Sequence, residues 1–256
     1  MFSPQHDDIR GAITRHLETD ILLGVKYVPL SPPRRIADDR KSAPHISQIT
    51  SQEVANRTEA LEALDEQQVK VCTKCGLYKT RTQTVFGQGH AAARLVFVGE
   101  APGAEEDRQG LAFVGRAGQL LTKMVEAMGL TREEVFICNI LKCRPPNNRD
   151  PAPDEVSCCR SYLDKQMEII QPEVIVALGK PAAQTLLNTK VGITQLRGKW
   201  HEYHISGSPL IGKPTPLMPT FHPAYLLRNP AEKAKAWSDL KEVMTKLGLP
   251  IPEQHK

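Results

Sequence analysis

From residue 94 onward the chain alternates short, dense apolar runs with longer stretches in which apolar residues recur every three or four positions. R-L-V-F-V-G (94–99), V-F-I-C-N-I-L (135–141) and P-E-V-I-V-A-L-G (172–179) are short and β-branched, which marks strands buried on both faces. A-G-Q-L-L-T-K-M-V-E-A-M-G (117–129) and S-Y-L-D-K-Q-M-E-I-I (161–170) carry helical spacing, and a last strand near 217–220 precedes a helix over about 231–247. Strands of this kind alternating with helices predict a three-layer α/β/α fold around a central, mostly parallel four-stranded sheet. No internal repeat interrupts the pattern.

Residues 1–66 differ. A short helix is expected over about 9–23, followed by S-P-P-R-R-I-A-D-D-R-K-S-A-P-H-I-S-Q-I-T-S, a polar, proline-containing stretch without period. Such a segment buries too little apolar area to offset its ordering entropy, so it reads as a largely disordered N-terminal tail. The expected organisation is an extension over 1–66 and one catalytic domain over 67–250. A chain of 256 residues with 40% hydrophobic residues supports one sizeable core. No run approaches the ~20 apolar residues of a membrane helix, and M-F-S-P-Q-H-D-D lacks a signal-peptide layout, so an intracellular protein without a membrane partner is expected. The net charge of +4 permits a nucleic-acid partner without demanding one.

The parallel sheet directs attention to the carboxyl ends of its strands, where ligands bind in open α/β folds. G-E-A-P-G-A-E-E-D (99–107), N-I-L-K-C-R-P-P (139–146), G-K-P-A (179–182) and F-H-P-A-Y-L-L-R (221–228) all fall there. Gly99 to Gly103 can form a tight turn whose amides approach a ligand, with Glu105, Glu106 and Asp107 at the same mouth. Phe113 precedes a helix start rich in small residues and could stack on a planar group. His222 opens a proline-fixed turn with Tyr225, Leu226 and Arg228, a set able to touch a base, wedge a stack and hold a phosphate. Taken singly, each has an ordinary reading as an acidic turn, a core aromatic or a structural histidine.

Six cysteines add a second theme. Cys72 and Cys75 form a C-x2-C pair, and Cys143 and Cys159 lie beyond the first α/β unit. Four thiolates from two separated segments suit a [4Fe-4S] cluster better than zinc, whose ribbons usually repeat C-x2-C in the second half. Cys138 sits in an apolar strand and reads as core. Cys158 and its neighbour Cys159 point about 100° apart on a helix, so only one can serve, and spacing does not choose between them.

Taken in order, C-T-K-C, G-E-A-P-G-A-E-E-D, F-V-G-R-A-G, N-I-L-K-C-R-P-P-N-N-R-D-P, A-L-G-K-P-A and H-P-A-Y-L-L-R resemble the family 4 uracil-DNA glycosylases, the iron-sulfur branch of that superfamily, over about 71–247. The resemblance implies Cys159 rather than Cys158 as the fourth ligand, in a cluster of structural role. It implies His222 at uracil O2, Asn139 at the O4 and N3–H edge, Phe113 stacked on the flipped base and Glu106 as a wall at C5. Ala101 stands where relatives outside this family carry a water-orienting Asp, which leaves the water to Glu100, to the Ala101 amide or to another polar group. Arg116, Arg144, Arg149, Lys180, Tyr225, Leu226 and Arg228 are the expected DNA contacts. The implied activity is hydrolysis of uracil from single- or double-stranded DNA to initiate base excision repair, by a nucleoid-associated monomer; the tail lies outside the resemblance and is a place where repair partners could bind. The competing readings are a non-catalytic, metal-stapled nucleic-acid-binding module and an electron-transfer protein.

Overall fold

The computed structural model describes residues 49–205 and 214–252. The helix expected over 9–23 and most of the tail lie outside the described residues. Helix α1 (Ser51–Leu64) begins at Thr50, whose hydroxyl accepts from the Glu53 amide at 3.2 Å while the Glu53 carboxylate accepts from the Thr50 amide at 2.7 Å. The chain then runs through β1 (Gln88–Gly89), β2 (Leu95–Gly99), α2 (Ala104–Gln109), α3 (Arg116–Ala127), β3 (Phe136–Asn139), α4 (Pro153–Ile170), β4 (Val174–Leu178), α5 (Lys180–Leu186), α6 (Ile193–Leu196), β5 (His201–Tyr203), β6 (Thr215–Thr220), α7 (Pro223–Arg228) and α8 (Lys233–Leu247).

The sheet order is β1-β3-β2-β4-β6-β5. The four expected strands form its parallel centre, in register at Gly99↔Asn139, Leu95↔Val174 and Leu178↔Thr220. Two short antiparallel strands, β1 and β5, extend the expected four to six. At two and three residues, neither is long enough to carry a readable alternation.

Alternation along the central strands sorts the core into two halves. Val96, Val98, Ile175 and Ala177 face Leu163 and Met167 of α4 and Ala183 of α5, whereas Leu95, Phe97, Val174 and Val176 face Leu121 and Met124 of α3 and Leu240 and Val243 of α8. Both faces are thereby covered, as a parallel sheet requires.

Helix α1 corrects the expected boundary of the extension. Leu61 and Leu64 are buried in the first half of the core, and Arg57 Nη1 donates to the Ile170 carbonyl at 2.6 Å at the end of α4. Residues 51–66 therefore belong to the folded body. Their apolar positions are few and widely spaced, which hid them behind the polar composition of the segment. Among the described residues no helix is long and apolar enough to cross a membrane.

Candidate active site

The chain enters β2, crosses to β3 on one side and returns past β2 to β4 on the other, so the order reverses at the carboxyl end of β2. A cleft of about 280 Å³ opens there, bringing together Glu100, Ala101, Glu106, Phe113, Asn139 and His222.

Gly99 makes the cleft possible. A Cβ at this position would stand 2.3 Å from Asn139 Oδ1 and 2.5 Å from Phe113 Cζ, so any side chain would displace both. Asn139 closes β3 and is 1% exposed, yet among the described residues its Oδ1 has no hydrogen-bond partner. A buried amide oxygen left unpaired costs about 1–3 kcal/mol, a deficit that a ligand N–H can remove. Phe113 is held at φ 54°, in the left-handed region that a bulky residue rarely adopts. Glu106 Oε1 accepts from the Val114 and Gly115 amides at 2.9 and 2.8 Å, and Arg132 Nη2 donates to the Ala112 carbonyl at 2.7 Å. Those bonds over-determine the turn and hold the ring in place. Glu106 Oε2 also accepts from the Gly103 amide at 3.1 Å, so three backbone amides hold this carboxylate in place.

His222 caps α7 through Nδ1, which accepts from the Ala224 amide at 3.1 Å. With Nδ1 an acceptor, the neutral ring carries its proton on Nε2. Burial, reinforced by the Arg228 charge, lowers its pKa to about 4, so the ring is neutral at ordinary pH. Its centroid lies 5.7 Å from that of Phe113. Glu100 shows the opposite trend: burial, aided by the Asp150 carboxylate, raises its pKa to about 7. Asp150 lines the same cleft; the sequence places it within the motif N-I-L-K-C-R-P-P-N-N-R-D-P but does not show that it faces Glu100.

The expected DNA contacts divide. Arg116, Lys180 and Arg228 are exposed, and Tyr225 is half-buried against Phe221 at 4.9 Å between ring centroids. Leu226 is corrected: at 0% exposure it belongs to the core and cannot wedge a base stack. Arg149 is committed to Glu155, through Nη1 at 2.9 Å and Nη2 at 2.6 Å, and Arg144 Nε donates to Asn148 Oδ1 at 2.8 Å. Arg149 thus shapes the loop before α4 and has only part of its fork left for a phosphate.

The cysteines gather on the other side of β3. Cys143 and Cys159 are buried in one core with Cys72 and Cys75 packed against it. Burial pushes the Cys75 and Cys143 thiols up and Cys159 to about 11, and each of the three is raised further by the charge of at least one other of the four. Arg81, unremarked in the sequence, donates from Nη1 to Cys143 Sγ at 3.2 Å and to the Cys72 carbonyl at 2.9 Å. The Cys158 thiol instead bonds the Lys74 carbonyl at 3.4 Å. Among the described residues no three His, Cys, Asp or Glu side chains are arranged to hold a metal ion.

A parallel sheet with a reversal-point cleft, a buried Asn and a neutral His defines a class, and the sequence comparison agrees: the chain belongs to the Uracil DNA glycosylase superfamily, whose signature matches residues 86–241. All the cleft residues fall within that span, whereas Cys72 and Cys75 precede it. The chain is 49% identical over 174 residues to the Type-4 uracil-DNA glycosylase of Thermotoga maritima, covering 68% of this chain and 86% of that one. It is 45% identical over 189 residues to the Type-4 uracil-DNA glycosylase of Archaeoglobus fulgidus (72% and 92%) and 43% identical over 191 residues to that of Sulfurisphaera tokodaii (72% and 84%).

Proposed function

We propose that this protein is a uracil-DNA glycosylase that takes uracil out of the DNA stack and hydrolyses its C1′–N1 bond, leaving an abasic site. The unpaired, buried Oδ1 of Asn139 carries the reading. Uracil N3–H supplies the donor this oxygen lacks, and the amide nitrogen can give its hydrogen to O4. Cytosine offers an acceptor at N3 and a donor at C4, the wrong polarity at both positions. The flipped base stacks on Phe113, and the fixed Glu106 carboxylate occupies the space that a C5 methyl group would need.

As the glycosidic bond breaks, negative charge grows on the base and positive charge on the sugar. The neutral His222 ring donates Nε2–H to O2, where it stabilises the anion without first giving up a proton. Glu100, once ionised, is the group that orients water or faces the sugar cation, a duty open to it because position 101 carries Ala. Arg116, Lys180, Arg228 and Arg144 serve the phosphates.

Cys72, Cys75, Cys143 and Cys159 would hold a [4Fe-4S] cluster. Cys143 and Cys159 are buried with Cys72 and Cys75 packed against them, and the Arg81 N–H on the Cys143 sulfur is the contact that favours an anionic ligand there; when bound the cluster would supply a staple between the Cys72 turn and α4. Incubating the protein with a uracil-containing oligonucleotide, then alkali, is expected to cut the strand at uracil. A strand that stays intact contradicts the proposal.

A further inference from the structure

Lys142 is 1% exposed, and among the described residues its hydrogen bonds go to a carbonyl and an amide oxygen rather than to a carboxylate. Its Nζ donates to the Asn139 carbonyl at 2.7 Å and to Gln166 Oε1 at 2.6 Å, while Gln166 Nε2 donates to the Phe86 carbonyl at 2.9 Å. A lysine buried this fully is rare unless something else in the fold requires it.

The requirement lies at Asn139. After that residue the chain stays tied to β2 through the Ile140 and Leu141 amides, which donate to the Gly99 and Glu100 carbonyls at 3.0 Å. On the other side the pairing of β3 with β1 stops at Ile137, and among the described residues no strand pairs with Asn139 there, the next backbone bond being from the Val85 amide to the Lys142 carbonyl at 2.8 Å. The last backbone carbonyl of β3 would be left unpaired at the position whose side chain faces the cleft. Lys142 satisfies it, and Gln166 anchors Lys142 to α4 two turns beyond Cys159, on the same helical face.

We propose that Lys142 is a positioning residue for base recognition: it fixes the backbone of Asn139 and ties the uracil-reading amide to the helix that carries Cys159. The assignment rests on the glycosylase reading above. Without Lys142 the end of β3 can shift, and a displacement of about 1 Å at a reading amide can cost up to about a hundredfold in rate. Because Asn139 acts on the departing base, the loss falls on the chemical step rather than on DNA affinity.

The test uses single-turnover excision of uracil by the full chain, with enzyme varied in excess over DNA. The maximal rate read this way does not depend on the fraction of correctly folded enzyme. Lys142→Met is expected to lower the maximal rate about ten- to a hundredfold, with half-saturation unchanged and with no change in the visible chromophore, the absorbance a bound [4Fe-4S] cluster would give. Gln166→Met, which removes only the anchor, is expected to act in the same direction to a smaller extent, and it carries the test if Lys142→Met does not fold. Gln166→Glu, which keeps the acceptor for Lys142 but loses the donor to the Phe86 carbonyl, is expected to lower the rate less than Gln166→Met. Wild-type rates in both Met variants, or a change confined to half-saturation, overturn the assignment. Absence of excision by the unaltered chain overturns the glycosylase reading instead.

Discussion

The separation between the pKa values of Glu100 and His222 makes the pH dependence of excision a sharp test. With Glu100 titrating at about 7 and His222 at about 4, the active form, with carboxylate ionised and imidazole neutral, is governed by Glu100 alone above pH 5. The ionised fraction is about 1% at pH 5, about half at pH 7 and about nine-tenths at pH 8, so the single-turnover rate should rise roughly fiftyfold from pH 5 to 7 and then level off. Glu100→Gln should lower the plateau and flatten this limb. Asp150→Asn removes a charge that helps to raise Glu100 and should move the limb to lower pH. The same ionisation has a stability signature. The folded state holds the Glu100 proton more tightly than the unfolded chain does, so this group's contribution declines as pH rises from the ordinary carboxyl range through about 7. Glu100→Gln should therefore gain thermal stability over wild type at pH 8 relative to pH 5. A flat rate profile between pH 5 and 8 in the wild type, or an unchanged limb in Glu100→Gln, refutes the role given to this carboxylate.

Two further outcomes follow from the arrangement of the cysteines and of α1. Cys159→Ser should remove the visible chromophore and lower the melting temperature, whereas Cys158→Ser should preserve both, as absorbance and calorimetry on anaerobically prepared protein will show. Deleting residues 1–48 should leave melting temperature and excision near wild type. Deletion through residue 66 also removes Leu61 and Leu64 from the core, and at about 1.5–3 kcal/mol for each buried leucine the loss should be plain in a denaturant titration.

The central architecture could be read from the chain because its physics is local. A strand buried on both faces must be apolar throughout, and 94–99, 135–141 and 172–179 advertise that without ambiguity. The sheet then sets Glu100, Asn139, Gly179 and His222 at one edge, because each lies at or just past the carboxyl end of a parallel strand. What remained hidden depends on partners distant in sequence. Nothing in V-F-I-C-N-I-L-K says that Lys142 turns inward to meet Gln166, 24 residues later. The sequence does not show that Glu155 lies against Arg149, and a six-residue helix does not show which face is covered, so Leu226 reads as a wedge in the sequence and is core in the fold. Helix α1 is hidden for a related reason: Leu61, Leu64 and the Arg57 bond to the end of α4 dock it, and two leucines make no visible period.

The account stands or falls on base discrimination at Asn139. Uracil, cytosine and thymine should be placed in turn at the same position of one oligonucleotide, and release of each measured for the wild type and for Asn139→Leu. The expected result is release of uracil alone by the wild type, with a loss of about a hundredfold or more in the variant. Comparable release of cytosine or thymine by the wild type, or undiminished release of uracil by Asn139→Leu, would contradict it.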